Sequence, residues 1–188
     1  MANQTRVGGA RAKGGFYSAA TKTALPTDAQ TPLDSGFKLV SLVSDDGLKE
    51  ALDRKSDDIR AWDGSIARTV QSEYSETWKL TLIERTDESL KEIYGQDNVT
   101  SAKVDGGTLR TIQHTEDQLP IRAYVADMQD GPVMMRKVFP EAQITDIGDI
   151  KYVKKDVISY EITLTAYKDE NARFSYDYEF IPDEKAAA

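Results

Sequence analysis

The chain has 188 residues, 39% of them hydrophobic and 30% charged, with a net charge of −8 and no cysteine. Enough apolar residues are present to fill the core of one globular unit, which excludes wholesale disorder. No run approaches the roughly 18 apolar residues of a membrane-spanning helix, so no membrane anchor is expected, and the lack of cysteine removes disulfides, thiolate nucleophiles and sulfur-ligated metals.

Residues 1–35 contain Gly8-Gly9, Gly14-Gly15, Pro26 and Pro32, with single apolar residues and no sustained period. The opening Met1-Ala2-Asn3-Gln4-Thr5-Arg6 lacks the apolar core of a signal peptide. This stretch reads as an extended N-terminal arm, mobile unless something ties it down. Its first 24 residues hold four bases (Arg6, Arg11, Lys13 and Lys22) and no acid, whereas the remainder carries 20 bases against 32 acids. An acidic body repels phosphates over most of its surface. The basic arm suits an acidic neighbour better than a nucleic acid.

The body is expected over 36–182, with a flexible tail at 183–188. Phe37 to Val43 is apolar on both faces, as in a strand covered on both sides. Shorter strand candidates follow near 48–53, 59–62 and 66–71. Near 74–84, Tyr74, Trp78, Leu80 and Leu82 line one face with Ser75, Thr77, Lys79 and Thr81 opposite. One helix is predicted between Thr86 and Gly95: Thr86 or Asp87 caps it, Leu90, Ile93 and Tyr94 form its apolar stripe, and Gly95 stops it. Further strands are predicted near 108–113, 121–128, 133–139, 143–147, 158–166 and 174–180. In the last two, Ile158, Tyr160, Ile162, Leu164 and Ala166, then Phe174, Tyr176, Tyr178 and Phe180, alternate with polar residues. Asp-Gly pairs at 46–47, 63–64, 105–106 and 130–131 supply the positive φ angles of hairpin turns. The expected fold is therefore mainly β: two packed antiparallel sheets, as a sandwich or partial barrel, with one flanking helix.

Residues that carry chemistry are nearly absent. His114 is the only histidine, and no Gly-x-Ser-x-Gly elbow accompanies it. The acid pairs Asp45-Asp46 and Asp57-Asp58 and the cluster Asp183-Glu184 lack the calcium-loop pattern. Gly8 to Gly15 lacks the Walker spacing and a following helix. No catalytic residue, cofactor or metal is expected.

The ordered set Asp46-Gly47-Leu48, Ile59-Arg60-Ala61-Trp62-Asp63-Gly64, Val70-Gln71-Ser72-Glu73-Tyr74-Ser75, Thr81-Leu82-Ile83-Glu84 and Leu90-Lys91-Glu92-Ile93-Tyr94-Gly95 resembles the major tail tube proteins of long-tailed, siphovirus-type bacteriophages. The similarity continues through Phe139-Pro140-Glu141-Ala142 and the final strands, covering most of 33–181. No counterpart of the extra C-terminal immunoglobulin-like domain often found in that family is expected after Pro182. The resemblance implies a non-enzymatic virion protein, assembled in the host bacterial cytoplasm. Six copies would form a ring, and stacked rings a tube that conducts double-stranded DNA without sequence-specific binding. Implied partners are further copies, a tape-measure protein and the tail terminator and distal tail proteins.

By position, the resemblance places contacts between rings and subunits at residues 1–35 and 44–63. The candidates are Arg6, Arg11, Lys13, Phe16 and Tyr17 in the first segment. In the second they are Asp46, Leu48, Leu52, Arg54, Ile59 and Trp62. The rival readings are the tube of a contractile tail or of a secretion system, a soluble β-sandwich binding module and, weakest, an enzyme.

Overall fold

Long alternating segments here become long strands, because neighbouring short candidates merge. The computed structural model describes residues 5–11 and 15–183. Its strands are β1 (Gly9–Ala10), β2 (Phe16–Ala19), β3 (Lys38–Ser41), β4 (Lys49–Arg60), β5 (Ile66–Leu82), β6 (Val99–Val104), β7 (Gly107–Ile112), β8 (Arg122–Asp130), β9 (Val133–Ile147), β10 (Tyr160–Tyr167) and β11 (Tyr176–Phe180). One nine-stranded antiparallel sheet runs β3-β2-β8-β9-β10-β5-β4, with β1 added on β8 and β11 on β9; β6 and β7 form a separate ribbon. The fold is mainly β, in two antiparallel sheets with one helix.

The large sheet curves until its ends nearly meet. Residues 42–44 continue from β3 and reach β5 through the bridge Val43↔Leu82, with Ile83 N–H donating to Leu42 O and Ser44 N–H to Thr81 O. The ladder there is one isolated bridge, so the barrel stays partial. Its interior is packed solid: Phe16, Leu82, Tyr124, Phe139, Tyr160, Ile162 and Leu164 are essentially inaccessible, and Trp78 meets Phe139 edge-on at 4.9 Å.

The helix α1 (Asp87–Tyr94) covers this core with Leu90 and Ile93. Thr86 caps it through a reciprocal box with Ser89, a serine occupying the place usually held by Glu or Gln. Glu92, buried on the helix, accepts from Ser18 Oγ at 2.7 Å and Tyr124 Oη at 2.8 Å and pairs with Arg122 at 2.9 Å. These contacts tie α1 to β2 and β8.

Several strand expectations change form. The candidates at 48–53 and 59–62 are one strand, as are 66–71 with 74–84 and 133–139 with 143–147. Pro140 lies inside β9 where one neighbour hands over to another: β11 pairs with 134–138 and β10 with 141–147, while the β8 side carries a register shift. A residue without an N–H costs nothing at such a gap. Asp46-Gly47 is a turn but not a hairpin, because the chain before and after it pairs with β5 rather than with itself (Val43↔Leu82, Lys49↔Lys79).

Near 121–128, Tyr124 points into the main core, and Ala123 and Val125 join a second cluster on the opposite face. The second face is covered by the segment 20–37, through Leu25, Leu33 and Phe37. The sheet therefore draws on residues upstream of Gly36. Phe16, Ser18 and Ala19 of β2 are buried between β3 and β8, so the extended arm expected over 1–35 is not separate from the body over its described length. Four residues preceded by a glycine pair carry too little period to announce a strand inside the sheet. Of the tail at 183–188, residues 184–188 lie outside the described residues.

Candidate assembly surfaces

The largest feature outside the core is the β4–β5 hairpin. Its root is held: β10 pairs with β5 from Thr77 to Leu82, and β4 covers the other edge. Beyond the Ala51↔Thr77 pair no further strand supports it. The projecting part, 52–60 on β4, extends about 30 Å at roughly 3.4 Å per residue.

Why it folds as a free ribbon is legible residue by residue. Lys55 Nζ meets Glu73 at 2.6 Å, Thr69 Oγ1 donates to Asp58 at 2.8 Å, and the Arg54 guanidinium lies 4.4 Å over the Tyr74 ring. Cross-strand pairs of this kind stabilise an exposed sheet in place of a core. The tip turns at Asp63-Gly64, where Gly64 adopts φ +86° and Asp63 accepts from Ser65 N–H at 2.9 Å and Ser65 Oγ at 2.6 Å. Those bonds hold the Asp63 carboxyl below its ordinary pKa. Trp62 sits at this tip, fully exposed.

The root is electrostatically locked. Lys137 on β9 reaches Glu50 at 3.0 Å, Asp177 at 3.1 Å and the Trp78 ring at 4.1 Å, so β4, β5, β9 and β11 converge on one ammonium. Nearby, Tyr74 Oη donates to Glu76 at 2.7 Å; burial, then that carboxylate, raises the phenol above its ordinary pKa. Sequence reading missed Lys137. Its only signal was the pair of bases Arg136-Lys137 set among apolar residues.

The sequence-predicted contact residues separate into distinct places. Leu52, Arg54, Ile59 and Trp62 all lie on the projecting hairpin. Asp46 stands exposed on the turn before β4, and Leu48 is half-buried against the core. Arg6 pairs with Glu179 at 3.0 Å, and Arg11 Nη1 donates to Ala29 O at 2.8 Å, so both lie on this chain's own surface. Tyr17 packs on the second cluster. Phe16 is corrected to a core residue: it is 1% exposed and stacked on Tyr124 at 5.6 Å. Lys13 lies outside the described residues.

The β6–β7 ribbon, foreseen only in its second strand, adds a smaller projection. Val99 and Ile112 anchor it to the core, and Arg110 binds Asp87 at 2.6 Å. Val104 and Leu109 remain exposed on its outer face. Among the described residues, no three or more His, Asp or Glu gather to hold a metal ion, and no helix is long and apolar enough to cross a membrane. His114 rests against the Tyr94 ring at 4.5 Å.

A family described as phage tail tube protein matches residues 1–187. The chain belongs to the phage tail tube protein family. Among curated proteins none matches it. As a tail tube protein it is a structural component of a bacteriophage virion tail, in a family that is non-enzymatic in general. Membership of this family goes with assembly into a tube with other tail proteins.

Proposed function

We propose that this tail tube protein assembles into hexameric rings that stack into the tube of a long, non-contractile tail and conduct double-stranded DNA. The observation that carries the reading is the packed interior. A barrel of this strand number is filled by its own side chains, here including Phe139, Tyr160 and Leu82 at 0% exposure. Any channel wide enough for a duplex must then lie between copies.

The projecting hairpin supports the same reading. From Lys55 to Glu73 it is exposed throughout, and exposed edges are satisfied when a closed ring is formed. The acidic balance of residues 25–188 suits a lumen wall that does not hold phosphates. Within this reading, residues 36–182 form the tube domain together with β2 and the segment that follows it, and the hairpin and the first residues of the chain bridge neighbouring rings. The tape-measure, tail terminator and distal tail proteins are the expected partners, and assembly takes place in the host cytoplasm. Electron microscopy of the concentrated protein tests it: tubes of stacked six-fold rings are expected. Strictly monomeric particles at all concentrations would sink it.

A further inference from the structure

The hairpin carries a knob at one end and a hole at the other. At its root, a groove of about 370 Å³ opens between Gly8–Ala10 and Gly15 on one side and Val43 to Leu48 on the other. Its floor is Phe16, Leu80 and Ala126, with Met128 alongside. That volume falls within the roughly 300–1,000 Å³ of pockets that hold small organic groups. The glycine wall leaves it open: a Cβ added at Gly8 would meet only Met128 Sδ, at 3.6 Å. Ser44 Oγ, on the groove wall, is buried without a hydrogen-bond partner.

We propose that Trp62 of one copy seats in this groove of a second copy; the proposal rests on the self-assembly reading above. The side chain is 105% exposed, against 3% for Trp78, the only other tryptophan. The occupant cannot come from the same copy. The 12 residues of β4 separate tip from root, about 40 Å in extended chain. Buried indole needs an acceptor for its N–H, and the exposed Asp45 lines the groove with a carboxylate.

Charge agrees. Arg60 and Arg68 flank the tip and are exposed, as is Asp45 at the groove mouth, while the tip's own acid, Asp63, is turned onto Ser65. Because knob and hole lie on different patches, the contact is heterologous. Such contacts propagate from copy to copy instead of closing a two-fold pair.

Two variants test this. Trp62→Ala removes the knob; Gly8→Phe fills the hole. Both should keep the wild-type melting curve, and each should raise the critical concentration for tube growth at least about tenfold, as for a buried aromatic anchor. Mixing them should give discrete pairs, since one partner has an intact hole and the other an intact knob. Wild-type tryptophan emission should shift to the blue on assembly, because Trp78 is already buried and only Trp62 changes environment. Tubes of Trp62→Ala at the wild-type concentration, or unshifted emission in assembled wild type, overturn the proposal while leaving the tube reading intact. If wild type forms no tubes, the tube reading fails, and pairing of the two variants still decides this contact.

Discussion

Arg136 presents Nε and Nη2 to the two carboxylate oxygens of Asp127, at 2.5 and 3.0 Å, and both side chains are buried on the second face of the sheet. Its remaining nitrogen, Nη1, donates to Asp28 O at 2.9 Å and Thr31 O at 2.8 Å, so one guanidinium clamps the covering segment onto β8 and β9. Removing one member leaves an uncompensated buried charge. Asp127→Ala should cost about 3–5 kcal/mol. The double variant Asp127→Leu with Arg136→Met should cost clearly less than the sum of the single changes. Urea unfolding of the unassembled chain measures both, and additive losses would contradict the clamp.

The turn that Arg136 holds is itself organised by Asp28. Its carboxylate accepts from Thr31 Oγ1 and from the backbone N–H of Gln30 and Thr31, each at 2.6 Å. The Thr31 hydroxyl, then the backbone bonds, lower its pKa from 3.8 to about 2. A depressed carboxylate pKa contributes order that is complete above the unfolded value and is lost as pH falls through the folded one. Hydrogen-exchange protection of the Gln30 and Thr31 amides, relative to a peptide of the same residues, should hold down to about pH 4 and decline between there and about pH 2. Asp28→Ala should abolish that decline, and a flat profile in wild type would contradict the assignment.

How much of this was legible in the sequence differs by kind of residue. Alternation found the faces of β5 and β10, since Trp78, Leu80 and Leu82 and Tyr160, Ile162 and Leu164 are all buried. Capping chemistry found α1 almost to the residue. Strand length escaped, because the stretch Arg54 to Asp58 between two strand candidates looks like solvated loop and in fact pairs with β5. The Asp127–Arg136 pair was not anticipated, because nothing local says that residues 20–37 fold back over that face. The hairpin candidates Leu52, Arg54, Ile59 and Trp62 came from a resemblance, whereas the groove at its root joins segments far apart in sequence and left no local signal.

The place of β2 sets a limit on trimming the N-terminus. Deleting residues 2–7 removes the Arg6–Glu179 pair and the Val7 N–H bond to Asp130, both on the surface; exposed contacts of this sort are worth at most about 1 kcal/mol. Such a chain should fold and melt like the full one, and should lose tube growth if these residues bridge rings. Deleting residues 2–30 instead removes β2 from between β3 and β8 together with the turn beneath Arg136. That chain should not fold. Circular dichroism of the two products, with microscopy of the first, separates these outcomes; a cooperative fold after the longer cut would refute the role given to β2.

The hairpin permits the complementary cut. Every residue from Lys55 to Glu73 is exposed, so the projecting ribbon stabilises nothing beneath it. Replacing this stretch by Asn-Gly, which turns two strands in two residues, joins Arg54 directly to Tyr74. The root contacts of Lys137 with Glu50 and Asp177 remain. Shortening a loop lowers its closure entropy slightly, and surface changes away from packed groups rarely exceed about 0.5 kcal/mol. Unfolding free energy should therefore stay within about 1 kcal/mol of the full chain, while tubes disappear. A loss of several kcal/mol would mean that the ribbon is part of the fold. Tubes that still grow would mean that it is not part of the assembly, and the surface carrying growth would then have to be sought on the open edges of the sheet.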